Sequence, residues 1–298
     1  MKVFNVIFSA ILGLILTVTL IVLGGIITLE NTILNADFII SEMEKLDAYS
    51  IIIDQVKLQL KDQLPTEVPY VEEIIDETII ELKPWFKEQA DFIIYEGLAY
   101  IKGEQNLHIV IPLTEVRGII LENVEEAVQE FLLPELEGFP PDMVQLILSK
   151  IYTEIDRQIP EQIEIDEALL GTDIVSQLHQ LRQTVSYIMV GTKILFGLTA
   201  LLIFFIALLQ WWRLKLIALY TGIPFITAGA FTLIATLITG SFIPKLLPPE
   251  LPADIISILP AVASHLSSPL RIYGIIILIT GIALTLLYIK LKAEDYPG

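Results

Sequence analysis

Four long runs of apolar residues dominate the hydropathy pattern of this chain. They cover residues 4–28, 188–212, 216–239 and 272–289. Each run is close to or beyond the ~18–20 apolar residues that a helix needs to cross a bilayer. Only helices and closed barrels satisfy their backbone hydrogen bonds in lipid, and unbroken apolar runs of this length are typical of helices. The pattern therefore predicts an integral membrane protein with four transmembrane helices.

The stretch between the first and second runs has a different pattern. In residues 29–187 the apolar positions recur at spacings of three and four among polar ones, which predicts a mostly helical domain inserted between transmembrane helices 1 and 2. The predicted fold class is all-α. Its predicted parts are an N-terminal anchor at 1–28, the inserted domain at 29–187, a three-helix membrane region at 188–292 with a Pro-rich loop at 240–270, and a short tail at 293–298.

Two short segments of the inserted domain follow the period of a β-strand instead. Residues 107–111 alternate between apolar and other side chains, and residues 162–165 do so again. Because a lone strand leaves its backbone groups unpaired, we expect the two segments to form one small two-stranded element. Pro84 suits the first turn of a helix, so it predicts a boundary between two helices.

An apolar seam crosses from the inserted domain into the second membrane run. Its residues follow one another at spacings of four and three, as in a heptad repeat. They are Ile174, Leu178, Leu181, Val185 and Ile188. No proline lies between Thr172 and Trp212, so we expect one unbroken helix of about 40 residues, ~60 Å long. The alternative is a short linker near Tyr187 that would let the domain tumble.

Glycines recur every seven residues in the last two membrane runs. Gly222 and Gly229 lie in the third run, and Gly274 and Gly281 lie in the fourth. Seven residues bring a helix back to nearly the same face, and small residues on one face allow helices to approach closely in lipid. We therefore expect these two helices to pack through the glycines. A ligand groove beside the glycines is the alternative interpretation.

The basic residues indicate an orientation. Lys2, Arg213, Lys215, Lys290 and Lys292 all fall at one side of the predicted membrane, which the positive-inside rule makes cytoplasmic. This places both termini inside the cell and residues 29–187 outside the plasma membrane. A removed signal peptide is the alternative for the first run, but its apolar stretch exceeds the usual ~7–15 residues of a signal core.

The charge of the inserted domain is strongly negative. Residues 29–187 hold 32 acidic and 10 basic residues, a net charge of −22, against −18 for the whole chain. This excludes electrostatic binding of nucleic acid or of anionic lipid headgroups by the domain and favours cations and basic partners. The absence of cysteine and of any N-glycosylation sequon suits a prokaryotic envelope protein better than a eukaryotic surface protein.

No motif in the chain carries recognisable catalytic chemistry. Two carboxylate ridges share helical faces that suit a cation, although a solvated face is the simpler interpretation. They are Glu72, Glu73, Asp76 and Glu77, and Glu122, Glu125, Glu126 and Glu130. His108, His179 and His265 lie too far apart for a metal motif, and Ser264-His265 with Asp254 lacks the turn of a hydrolase nucleophile. We therefore predict no catalytic residue, no cofactor and no metal site.

The middle of each membrane run is free of ionisable residues, which argues against an ion or proton pathway. Two functions remain. The favoured one is a non-enzymatic envelope protein whose outer domain binds, scaffolds or senses. Its expected partners are membrane lipid around the helices and another envelope protein or a basic partner at the outer domain, where a cation or a cell-wall component is the alternative ligand. The alternative is binding or transport of a lipid or apolar small molecule at the junction of the outer domain and the membrane helices. A homo-oligomer is compatible with both functions.

Overall fold

A computed structural model describes residues 2–63, 69–132, 140–242 and 261–294. The chain divides into two compact units. One is made of Met1–Glu42 and Gln183–Gly298, and we call it the apolar unit. The other is Met43–Arg182, and we call it the inserted unit. Most of the Pro-rich loop predicted at 240–270, and most of the tail predicted at 293–298, lie outside the described residues.

Helices form nearly all of the described chain. In chain order the elements are α1 (Lys2–Asn31), α2 (Ala36–Lys45), α3 (Ala48–Gln63), α4 (Pro69–Lys102), β1 (His108–Pro112), α5 (Thr114–Ala127), α6 (Pro141–Gln158), β2 (Gln162–Asp166), α7 (Glu167–Leu209), α8 (Leu214–Phe242) and α9 (Ser268–Glu294). A short π-helical turn, Val128–Leu132, extends α5.

The apolar unit contains the membrane-type helices. Among the described residues, four helices are long and apolar enough to cross a membrane: Asn5–Asn31, Glu167–Leu209, Leu214–Ile238 and Ala261–Glu294. Their outer faces are apolar as well, since Leu14 is 67% exposed and Leu237 is 75% exposed. Such a surface suits lipid rather than water. The predicted all-α architecture with four helices suited to a membrane is confirmed.

Interlocking leucines form the inner core of the apolar unit. Leu12, Leu16 and Leu20 of α1 are buried together with residues of α7 and with Ala228 of α8. The three leucines recur at a spacing of four, so one stripe of α1 faces its neighbours while the rest of the helix stays outward. This stripe accounts for the position of α1 against α7 and α8.

The long helix predicted across the second membrane run is present. Helix α7 has no break between Thr172 and Leu209, which confirms the unbroken helix. Gly171, with φ 75° and ψ 162°, separates these residues from one helical turn at Glu167. The helix ends at Leu209 and not at Trp212, because Trp211 and Trp212 take left-handed conformations with φ 53° and 57°. Backbone hydrogen bonds of these residues close the helix end.

The strand pair predicted in the inserted unit is also present. Strands β1 and β2 pair in antiparallel register, with Ile109 opposite Ile165 and Ile111 opposite Ile163. Ile109 and Ile111 are 3% and 8% exposed, so the alternating pattern places one face of β1 in the core of this unit. Trp85, Tyr100, Leu107 and Leu113 complete that core.

The helix boundary predicted at Pro84 is wrong. Helix α4 runs through Pro84 without ending there. The proline removes one hydrogen bond to the carbonyl of Ile80, and Ile80 is 60% exposed, so water can bind that carbonyl. On the opposite face Leu82 and Trp85 stay buried, at 5% and 8% exposure. Burial on both sides of the proline therefore keeps the helix continuous.

Candidate functional site

The four predicted packing glycines lie where α8 and α9 meet. A Cβ atom built at Gly229 would stand 2.6 Å from the backbone nitrogen of Leu278, and one at Gly281 would stand 2.5 Å from that of Ile226. At Gly222 and Gly274 the nearest atoms are threonine hydroxyls, at 2.8 and 2.6 Å. A backbone atom of the neighbouring helix therefore takes the place of a Cβ atom at Gly229 and Gly281, and a threonine hydroxyl does so at Gly222 and Gly274, so the four glycines line the contact between α8 and α9.

A further close glycine contact, which the sequence did not predict, lies between α1 and α9. A Cβ atom at Gly24 of α1 would lie 2.5 Å from the ring of Tyr273 of α9. The phenol of Tyr273 donates a hydrogen bond of 2.7 Å to the carbonyl of Leu20. Gly24 was visible in the sequence as a small residue in a membrane run, but nothing near it in sequence indicates the tyrosine that it faces.

The seam residues of α7 differ in burial. Ile174 and Leu181 are 50% and 45% exposed, and Leu178 packs against the core of the inserted unit. Val185 is 3% exposed in the apolar unit, and Ile188 is partly buried. The seam is therefore not one continuous buried stripe in a single chain.

A polar cluster surrounds Tyr100 in the inserted unit. The Tyr100 phenol donates to the carboxylate of Glu167 at 3.3 Å, and Nε2 of His179 lies 3.3 Å from the same oxygen. The Arg182 guanidinium lies over the Tyr100 ring at 5.1 Å from its centre. Burial, followed by the charge of Glu167, raises the pKa of Tyr100. The cluster joins the start of α7 to the end of α4, which is a structural role.

The remaining histidines and the hydrolase-like triple form no catalytic arrangement in the part of the chain that the structure describes. His265 contacts the carboxylate of Glu42, and Glu42 is 8% exposed. Asp254 lies outside the described residues. Of the first carboxylate ridge, Asp76 pairs with Lys57 at 2.8 Å. Over the described residues, no three histidine, aspartate or glutamate side chains are arranged to hold a metal ion.

Part of the second carboxylate ridge lines a surface groove of the inserted unit. This acidic groove has a volume of about 720 Å³ and lies between α5 and α6. Its lining residues are Gly118, Leu121, Glu122 and Glu125 from α5, and Tyr152 and Thr153 from α6. Glu126 and Glu130, the other two members of the ridge, are not among the lining residues. The ridge therefore predicted only part of the lining of the groove, because the sequence did not indicate that α6 lies beside α5.

The opposite side of α5 fixes its orientation. Asn123 is 5% exposed, and its amide donates hydrogen bonds to Thr78 at 3.0 Å and to Glu81 at 3.1 Å, both on α4. A buried amide with both bonds made holds α5 at one rotation against α4. Glu122 and Glu125 stay exposed as a result, on the side where α6 lies. The groove is thus set by the packing of α5 on α4.

The electrostatics of the acidic groove favour a cation. Tyr152 is partly buried beside the two carboxylates; burial and, to a lesser extent, the charge of Glu125 raise the pKa of its phenol. Tyr152 therefore stays neutral and can contribute its ring and its hydroxyl to a ligand. A Cβ atom at Gly118 would meet nothing within 4 Å, so open space remains between the charged groups. Two carboxylates, an aromatic ring and an apolar floor at Leu121 suit an ammonium or guanidinium group on an aliphatic stem.

Comparison of the chain with protein-family models, with curated proteins and with solved structures finds no match. The chemistry of the groove has to be argued from its own residues. Two carboxylates, the hydroxyls of Tyr152 and Thr153, and the apolar side chain of Leu121 line it. Its arrangement suits binding.

Proposed function

We propose that the protein is a non-enzymatic membrane protein whose acidic domain, residues 29–187, binds a basic segment of another envelope protein outside the cytoplasm. The acidic groove is the observation that carries this proposal. It combines Glu122 and Glu125 with Tyr152 in a domain whose net charge is −22. A lysine or arginine side chain entering the groove would find two carboxylates and would cover Leu121 with its stem.

The domain's overall charge supports the same partner class. A surface with a strong excess of one sign attracts oppositely charged partners and raises their rate of association. The same charge repels the domain from anionic lipid headgroups, so its carboxylates remain accessible to a basic protein segment. The structural role of the four apolar helices is then to hold the domain at the membrane.

Helix α7 supports a scaffolding or sensing role. After the break at Gly171, the helix carries His179 and Arg182 of the polar cluster in the inserted unit, and it continues unbroken to Leu209 as one of the candidate membrane spans. A partner that changes the packing of its first turns acts on the same helix that enters the membrane. The proposal therefore includes transmission along α7.

A binding titration tests the groove. Full-length protein is placed in nanodiscs of neutral lipid, and a fluorescent peptide of alternating lysine and alanine is titrated by anisotropy. The Glu122→Gln/Glu125→Gln variant is compared with Glu126→Gln/Glu130→Gln, which removes the same charge from residues outside the groove lining. Two ion pairs of about 1 kcal/mol each predict roughly 30-fold weaker binding for the first variant. The second variant should weaken binding only a few-fold, through long-range charge.

A third variant separates shape from charge. Gly118→Trp fills the groove without altering its charge, and the open space around Gly118 lets α5 accept the ring. It should weaken peptide binding by about tenfold or more. Equal losses from the two double variants, together with unchanged binding by Gly118→Trp, would show that binding depends on diffuse charge and would reject the groove. A peptide of alternating glutamate and alanine serves as the negative probe.

Labelling in whole cells tests the orientation. The chain has no cysteine, so single cysteines report their own position. Gly118→Cys should react with a membrane-impermeant maleimide on intact cells, whereas Trp212→Cys should react only after lysis. Trp212 is 62% exposed, so packing within the protein does not block its label. Labelling in the reverse order would place the acidic domain in the cytoplasm and overturn the proposed location.

A further inference from the structure

Two cavities of the apolar unit lie beside α1, the first where α1 meets the end of α7 and the turn before α8, and the second between α1 and α8. The first has a volume of about 560 Å³, and Asn5, Gln210, Trp211 and Arg213 are among its lining residues. The second has a volume of about 310 Å³, and Ala10, Gly13, Thr17, Tyr220 and Thr227 are among its lining residues. Both volumes fall within the ~300–1,000 Å³ that is usual for small-molecule sites.

The two cavities share no lining residue but are neighbours, and we call the two together the α1–α8 groove. Nε2 of Gln210, which lines the first cavity, donates a buried hydrogen bond of 2.7 Å to Oγ of Ser9, which lines the second. Along α1 the lining passes from Val6 through Ala10 to Thr17, at helical spacings of four and seven. Along α8 it passes from Leu216 to Tyr220 and onward in the same way.

The second cavity of the α1–α8 groove is chemically apolar. Thr17 donates its hydroxyl to the carbonyl of Gly13 at 3.0 Å, and Thr227 donates to that of Ile223 at 2.9 Å. The hydroxyl of Ser9 accepts the hydrogen bond from Gln210. Each of these side chains is therefore satisfied within the protein, and the groove offers methyl and methylene groups to its occupant. A hydrocarbon chain matches such walls better than a polar ligand does.

The first cavity, at the Arg213 end of the groove, carries a positive charge. Arg213 is exposed, and no carboxylate within the described ranges pairs with it. Beside it, Trp211 and Trp212 are 74% and 62% exposed. Their left-handed conformations cost on the order of 1–2 kcal/mol each, a strain that is common at functional sites. Exposed indoles next to an arginine are typical of the membrane interface, where lipid phosphates lie.

We propose that the α1–α8 groove binds one anionic phospholipid, with its phosphate on Arg213 and one acyl chain along Ala10, Gly13, Thr17 and Tyr220. Charge complementarity selects this occupant. The guanidinium fork matches a phosphate, and the apolar groove begins next to it. This site lies in the apolar unit and is independent of the cation-binding role proposed for the inserted unit.

Native mass spectrometry of delipidated full-length protein tests the site. Phosphatidylglycerol and phosphatidylcholine with identical acyl chains are added in turn, and the dissociation constant of the first bound lipid is measured. One basic residue near a lipid surface contributes about fivefold in affinity for an anionic headgroup. We therefore expect about a fivefold preference for phosphatidylglycerol. Arg213→Gln should abolish this preference, whereas Lys290→Gln, an equal charge change on α9 outside the groove lining, should retain it.

A second pair of variants tests the acyl chain. Ala10→Trp fills the groove, and Ile11→Trp places the same ring one residue away, at a position that is 48% exposed and is not part of the lining. Ala10→Trp should weaken binding of both lipids at least fivefold, and Ile11→Trp should leave binding unchanged. Equal effects of Arg213→Gln and Lys290→Gln, or of the two tryptophan variants, would overturn the proposal. Competition by glycerol phosphate as strong as that by the whole lipid would also overturn it, since the site would then take a free phosphate.

Discussion

Replacing single glycines of α8 and α9 by alanine measures how closely these helices pack. An alanine at Gly229 would place its methyl group 2.6 Å from the backbone nitrogen of Leu278, and one at Gly281 would place it 2.5 Å from that of Ile226. An ordinary Cβ contact begins near 3.4 Å. The helices would have to separate locally by about 0.8–0.9 Å, because a backbone atom cannot rotate away.

The size of the effect follows from two opposed terms. Forcing an extra methyl group into a packed contact typically costs ~1–3 kcal/mol. Alanine in place of glycine recovers up to ~1 kcal/mol of helix propensity. With the full gain in propensity, we therefore expect Gly229→Ala and Gly281→Ala each to destabilise the apolar unit by roughly 0–2 kcal/mol, and by ~1–3 kcal/mol relative to a Gly→Ala change that has the same gain but no close contact. Gly222→Ala and Gly274→Ala should cost less, since their nearest contacts are threonine hydroxyls that can change rotamer.

Unfolding in mixed micelles provides the measurement. The protein is titrated with sodium dodecyl sulfate in a Trp85→Phe background, so that Trp211 and Trp212 alone report on the apolar unit. Gly191→Ala in α7 is the matched control, because a Cβ atom there would meet nothing within 4 Å. The reasoning fails if Gly229→Ala lies within about 0.5 kcal/mol of Gly191→Ala, the spread of neutral surface changes. Such a result would mean that α8 and α9 do not touch at this point.

Three further changes concern the inserted unit. Truncating the buried amide in Asn123→Ala should cost ~1–3 kcal/mol and speed hydrogen exchange along α5, because two buried hydrogen bonds are lost. Burial, followed by the hydrogen bond to Asp91, raises the pKa of Tyr49 above its ordinary 10.0. The neutral phenol therefore makes its full contribution to the free energy of unfolding below pH 10.0, and this contribution declines as the pH rises above 10.0. In Tyr49→Phe that part of the alkaline decline should be absent from a chemical-denaturation series at rising pH. Arg182→Gln should lower the free energy of unfolding by about 1 kcal/mol in the same assay. Arg182→Lys should lower it by about as much, because only the flat guanidinium of arginine stacks over the Tyr100 ring.

Local patterns predicted the strand pair and the long helix of this chain. The alternation at 107–111 and 162–165 predicted a strand pair that the structure contains, with Ile109 opposite Ile165. The run without proline after Thr172 predicted the unbroken part of α7. Both predictions depend on residues close together in sequence, where the period of the backbone determines which side chains share a face.

Local patterns failed where a distant neighbour decides the outcome. Pro84 predicted a helix boundary by its own chemistry, yet burial of Leu82 and Trp85 in the core of the inserted unit outweighs the lost hydrogen bond. The acidic groove could not be predicted from the sequence for the same reason. The ridge on α5 was visible, but its pairing with Tyr152 depends on where α6 packs, and no local signal encodes that position.

The difference between local patterns and distant contacts also explains why the helices of the apolar unit pack in a single register. Leucine stripes determine which face of each helix packs against its neighbour. They would pack almost equally well if one helix were shifted by one turn along its axis, because lipid gives no hydrophobic penalty for such a shift. Single polar contacts between distant positions remove that freedom. Ser9 accepts from Gln210 at 2.7 Å at one end of α1, and Glu30 accepts from Thr192 at 2.6 Å at the other. A shift of one turn would break both bonds, and the buried pair of Ser9 and Gln210 would find no replacement partner in lipid. The register of α1 against α7 is therefore set by these two pairs, and the apolar pattern alone could not have predicted it.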